Sequence, residues 1–180
     1  MVKPIIFGAI WFIPLFFLQW LLKISFPTEY QFSSLYLYVT LYGSLLPFAI
    51  AVAGYIISFR MTAEPVAVLK ELLVYFTSYF TLINIADLIW NYDRMSTSVL
   101  FLEPIARIMI AILIAVFIAK VIDTYGWLKA VWIFLSILVL FILPFSEVVF
   151  WLGQPAWAWV IAAVSVAASV TGFYFIKQSL

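Results

Sequence analysis

Four ionisable residues, Asp87, Glu103, Arg107 and Glu147, sit inside stretches of chain that are otherwise almost wholly apolar. A charge in hydrocarbon is costly, so such residues face a bundle interior, pair with one another, and are functional candidates by default. Glu103 and Arg107 are four residues apart, which puts them on one helix face within pairing reach. Asn84 and Asp87 are three apart and share a face in the same way. Asn91, Asp93 and Arg94 follow directly. Carboxylates gathered around one guanidinium can hold a polar small molecule or a lipid group, or supply a general acid to a reaction. They could also take a hard cation such as Ca²⁺ through oxygen, but an arginine in their midst opposes that, and no metal site is expected. The same residues suit a structural role as well. Glu103 with Arg107 can be a self-contained ion pair, Asp87 can pair with Arg94 or Arg107, and Glu103 and Glu147 lie close enough to a membrane surface to reach headgroups.

The elements that must position these groups are transmembrane helices. Hydrophobic residues make up 68% of the chain and charged residues 9%, more oil than a soluble fold of this length can hide. Runs of about 18 or more apolar residues read as membrane spans. Six are expected, over about 4–22, 35–59, 70–91, 97–120, 128–152 and 155–176, giving an all-α, polytopic bundle in one domain, 1–180. The connectors are short and carry breakers or charges, such as Phe26-Pro27-Thr28-Glu29, Met61-Thr62-Ala63-Glu64-Pro65 and Gly153-Gln154-Pro155. Neighbouring spans should therefore run antiparallel.

Basic residues set the orientation, because cytoplasmic loops are enriched in them. With the N-terminus inside, Lys3, Arg60, Lys70, Lys120, Lys129 and Lys177 fall on the inner side and Lys23 and Arg94 on the outer. This favours both termini in the cytoplasm, and a plasma membrane location. With a rise of ~1.5 Å per residue, Asp87 lies ~25 Å above Lys70, Glu103 ~26 Å and Arg107 ~20 Å above Lys120, and Glu147 ~27 Å above Lys129. In a core of ~30 Å all four occupy the outer half, with Arg107 the deepest. Aromatic residues near span ends, Trp20, Tyr30, Trp90, Tyr92, Trp127, Trp151 and Trp157 among them, suit an interfacial belt.

The sixth span carries small residues at four-residue spacing: Ala158 with Ala162, Ser165 with Ser169, and Ala168 with Gly172. Small residues let helices approach closely in lipid, so this is a packing helix, against either its own chain or a membrane protein partner. Pro14, Pro47 and Pro144 fall inside spans 1, 2 and 5, where each removes a backbone hydrogen bond and kinks the helix. Spans 2 and 5 are the middle members of the two three-helix halves, a placement that fits an inverted repeat, although the halves share no visible sequence similarity.

Much chemistry is excluded outright. The chain has no His and no Cys, which removes thiolate or imidazole zinc sites, His-ligated haem, cysteine nucleophiles, Ser-His-Asp triads and disulfides. No resident cofactor is expected. The net charge of +1 and the absence of a basic stripe argue against nucleic acid. The apolar run after Lys3 is longer than a signal-peptide core and no Ala-x-Ala-like site follows, so the first span is expected to remain. No span carries the ladder of arginines a voltage sensor needs.

One string has a family likeness. Trp90-Asn91-Tyr92-Asp93-Arg94 followed by Glu103-Pro104 resembles the membrane lycopene-cyclase domain, whose pattern has Trp-x-aromatic-Asp and then Pro-x-Glu. The likeness covers positions 90–104, and here the Glu precedes the Pro. It implies a carotenoid or terpenoid substrate and a carboxylate acting as general acid. Three functions thus follow from the sequence: an accessory subunit docked on a membrane complex, a small substrate-binding or transport unit, and an intramembrane enzyme. A docking subunit should tolerate Asp87→Asn but not Ala168→Leu or Gly172→Leu; a binding protein or enzyme should show the reverse.

Overall fold

The computed structural model describes residues 2–22, 31–59, 64–91 and 97–178, apart from the side chains at 90, 91, 97–103, 142, 143 and 177. The described residues are helical almost throughout, with no strand. In chain order they form α1 (Val2–Leu22), α2 (Phe32–Tyr38), a π-helical stretch (Val39–Leu45), α3 (Leu46–Ser58), α4 (Pro65–Asn91), α5 (Thr97–Asp123), α6 (Leu128–Trp151) and α7 (Pro155–Gln178). The segments α2, π and α3 run on without a break. Counted as one rod, they bring to six the described helices long and apolar enough to cross a membrane. The ends differ from the sequence reading by a few residues. Helix α4 starts at Pro65 rather than near Lys70, because a proline at the first helical position forfeits no hydrogen bond.

Helix α5 is central and packs on α4, α6 and α7, while α1 lies against α3 and α4. Its buried residues include Ala106, Ala111, Ala115 and Ala119, whose small side chains let neighbours come close. Between α3 and α4 sits an aromatic core of Phe48, Tyr55, Tyr75, Phe76, Tyr79 and Phe80, all at most 1% exposed. These rings pack inside the bundle rather than at a membrane surface. Glycines set the closest approach. A Cβ on Gly8 would stand 2.7 Å from the Tyr75 carbonyl oxygen, and one on Gly54 would enter the Trp11 ring and come 2.5 Å from the Tyr75 hydroxyl. Tyr75 is therefore the point on which α1 and α3 both close. The turns before α6 and α7 hold Gly126 at φ +68° and Gly153 at φ +81°, a region that favours glycine.

The prolines explain the irregular backbone. In the π stretch the Leu46 N–H donates to the Leu41 carbonyl, five residues back. An α ladder would next require an N–H at Pro47 for the Gly43 carbonyl, and proline has none. The helix widens over the residues just before Pro47 and returns to α after it, with the Pro47 carbonyl accepting from the Tyr79 hydroxyl at 3.0 Å. Pro144 acts similarly in α6, removing the donor that Leu140 would have used. Ser44 Oγ supplies it from the π stretch, donating to the Leu140 carbonyl at 2.8 Å, and Tyr36 donates to the Phe141 carbonyl at 3.1 Å. Each such bond contributes about 1 kcal/mol and ties the second rod to α6 just before Pro144. Pro14 and Pro104 also lie within helices, α1 and α5.

Candidate functional site

The approach of α4, α5, α6 and the π stretch brings charges together at one level of the bundle. Arg107, ten residues into α5, is 6% exposed. Its Nη1 forms an ion pair with Asp87 Oδ2 and donates to Asn84 Oδ1 at 3.3 Å, so α4 presents two acceptors from one face. The three-residue spacing of Asn84 and Asp87 is what permits this. Arg107 Nη2 and Glu147 Oε2 each lie 3.9 Å from the point that a Cβ on Gly43 would occupy. Glu147 thus reaches the same place from α6. The missing side chain of Gly43 leaves a notch between a guanidinium and a carboxylate.

Four residues of the expected cluster, Asn84, Asp87, Arg107 and Glu147, are therefore gathered. Asp87 pairs with Arg107, one of the two partners foreseen. Asp93 and Arg94 and the side chains of Asn91 and Glu103 lie outside the described residues, and with them most of the string that resembles the lycopene-cyclase domain. Among the described residues no group of three or more His, Cys, Asp or Glu could hold a metal ion.

Burial makes the centre demanding. The Arg107 side chain is 7% exposed and that of Asp87 31%. Taking such groups out of water costs several kcal/mol per ion, offset only when partners are close and well placed. Two atoms nearby have no partner at all: Asn84 Nδ2 and Thr40 Oγ1 are buried without a hydrogen bond among the described residues.

The π stretch was not among the residues singled out from sequence, and it supplies Thr40, Gly43 and Ser44. The signal was present as small or polar residues at three- and four-residue spacing ahead of a proline, Thr40-x-x-Gly43-Ser44-x-x-Pro47. Long π stretches are rare and concentrate at functional sites. The opposite end of the bundle carries a second charged group. Lys120, taken from sequence as a boundary marker, is 7% exposed and pairs with Asp123 at 3.0 Å. Tyr55 there donates to Glu71 at 3.3 Å, and Lys3 stands 4.9 Å from the centre of the Phe59 ring.

The small residues of α7 are used within the chain. Ala158, Ala162 and Ser169 are buried, Ser165 and Gly172 are half-buried, and a Cβ on Gly172 would meet Leu113 of α5 at 3.1 Å. Ala168 departs from the expected stripe: it is exposed, because the inward face repeats at alternating steps of four and three residues. Ser165 and Ser169 bond back to Ile161 and Ser165 carbonyls of their own helix, both at 2.8 Å, so they act as small packing residues rather than as donors to a neighbour.

No family model, no curated protein and no solved structure matches the chain.

Proposed function

We propose that this is a non-catalytic, multi-pass membrane protein of the plasma membrane that binds a polar small molecule or lipid group at the Asp87–Arg107 centre. It would serve as a substrate-binding or accessory subunit of a membrane complex or transporter. The observation that carries this reading is the gathering of Asn84 and Asp87 on Arg107, with Arg107 and Glu147 both reaching Gly43, so that polar groups from three helices meet beside the π stretch. Side chains of this kind are expensive in hydrocarbon, and they mark substrate and ion pathways. The π stretch beside them supports it further, because membrane binding sites form where helices are interrupted. Packing of the small-residue face of α7 against its own chain moves the weight from docking toward binding. A docked partner would have to use another face.

Native mass spectrometry of protein drawn from its own membrane in mild detergent tests the reading. The wild type should carry a bound small molecule or lipid that Asp87→Asn loses while keeping its fold. A wild type that carries only a stoichiometric protein partner, retained by Asp87→Asn, would defeat it.

A further inference from the structure

One group at the centre is held in place with nothing to bond. Arginine only donates hydrogen bonds, so the Asn84 atom that Arg107 meets at 3.3 Å is the carbonyl oxygen, and this fixes which way the amide is turned. Asn84 Nδ2, with its N–H donors, therefore points away from the guanidinium. It is buried without a hydrogen-bond partner among the described residues. The π stretch, which Arg107 and Glu147 both approach at Gly43, carries a second such group. Thr40 is 4% exposed and its Oγ1 has no partner among the described residues. Native proteins rarely keep a buried donor unsatisfied, because the loss of its water is not repaid, so an oxygen acceptor reaching these groups would be held firmly.

Acceptors stand beside these donors. Asp87 shares the Asn84 face of α4, with about 5–6 Å between Cβ atoms at that spacing. Its carboxylate gives Oδ2 to Arg107 and has further lone pairs to offer. The Asp87 side chain is 31% exposed, and its residue lies ~6 Å along the axis from the end of α4 at Asn91, within reach of headgroups and water. Charge narrows the class of ligand. Arg107 and Asp87 present both signs in one ion pair, so a charged ligand of either sign would meet its like at close range. A neutral ligand avoids both penalties. A hydroxyl accepts from an amide N–H and donates to a carboxylate, so it is a neutral group that answers Asn84 and Asp87 together.

We propose that the centre binds a neutral polyhydroxyl group, a sugar that is either free or the head of a glycolipid. Asn84 Nδ2 donates to one hydroxyl oxygen, Asp87 accepts from a neighbouring hydroxyl, and Thr40 bonds a further one from the π stretch. Arg107 holds Asn84 and Asp87 in the orientation this needs. The proposal rests on reading the centre as a binding site and adds the chemical class of its ligand.

The probes are octyl glucoside, octyl phosphate and octyltrimethylammonium, which share a chain and differ in the charge of the head, with free glucose beside them. Each is added at equal concentration to the purified full chain in a polyoxyethylene detergent, which carries no sugar, and thermal unfolding is followed. The wild type should gain about 3 °C with octyl glucoside and nothing with the two charged amphiphiles. An equal gain with glucose would make the ligand a free sugar, and a gain with the glucoside alone would make it a glycolipid head; either upholds the proposal. Asn84→Asp keeps an oxygen for Arg107 and removes the N–H donors, so it should lose the gain. Thr40→Val keeps the shape of the side chain and should raise the half-saturating concentration by about fivefold, the worth of one hydrogen bond. A wild type indifferent to both glucoside and glucose overturns the proposal, as does a response unchanged in either variant. A larger gain from octyl phosphate or octyltrimethylammonium overturns it too, and would make the ligand charged. Failure here, with a bound molecule still seen by native mass spectrometry and lost in Asp87→Asn, would sink the neutral class and leave the binding site standing.

Discussion

Arg107→Gln should be the most damaging single substitution at the charged centre. The side chain is 7% exposed and engages both Asn84 and Asp87. Removing it leaves Asp87 without the cation described beside it and takes a positive charge from the neighbourhood of Glu147. Breaking a buried pair by deleting one partner costs about 3 kcal/mol or more, because a stranded charge remains. For a chain of this size that lowers the unfolding midpoint by about 8 °C, read by thermal unfolding in mild detergent. The cost should shrink in Arg107→Gln combined with Asp87→Asn, where less charge is stranded. Equal midpoints for wild type and Arg107→Gln would mean the pair contributes nothing to the packing of α4 on α5.

Gly8→Leu should have an effect of similar size by a different route. Here the obstacle is the Tyr75 carbonyl at 2.7 Å, together with the Ser78 side chain at 3.1 Å, and a backbone atom inside a helix cannot swing away. Helix α1 would have to leave α4, breaking the 3.0 Å bond from Ser78 to the Ile5 carbonyl as it does so. Overpacking of this kind costs about 3 kcal/mol. Gly43→Ala is the control. Its Cβ would meet only Val39 at 3.4 Å and the charged atoms at 3.9 Å, all ordinary contacts, so its midpoint should stay near that of the wild type. If Gly8→Leu and Gly43→Ala unfold alike, the close approach of α1 to α4 is wrong.

Much of this architecture could be read from residues alone, and the reason is solvent. Backbone groups in hydrocarbon must be satisfied locally, so long apolar runs become helices and little else. That is why six runs sufficed to place six rods within a few residues. The pairing of Asp87 with Arg107 was foreseen as one of two options because charges in such a setting seek each other. What could not be read was which face of each helix turns inward. Ala168 looked like part of a packing stripe by spacing, yet the true stripe alternates steps of four and three and passes it by. Aromatic residues gave no guide either, since lipid and bundle interior are equally apolar; Tyr55, Tyr75 and Tyr79 proved to be core. The π stretch was missed because its cause is a single absent donor at Pro47, whose effect falls on the residues before it. Gly43 and Thr40 thus joined the centre through backbone geometry that no periodicity announces.

Cysteine accessibility at Gly43 tests the central claim most directly, and a chain without native cysteine permits it cleanly. Gly43→Cys would place a thiol in the notch between Arg107 and Glu147, and Ala163→Cys would place one on the exposed side of α7. Both are treated in membranes with a small, charged, water-soluble methanethiosulfonate reagent. A binding centre open to water predicts rapid labelling at position 43 and none at 163. Absence of labelling at 43 would mean a dry ion pair that merely fastens three helices together, and would contradict the proposed function.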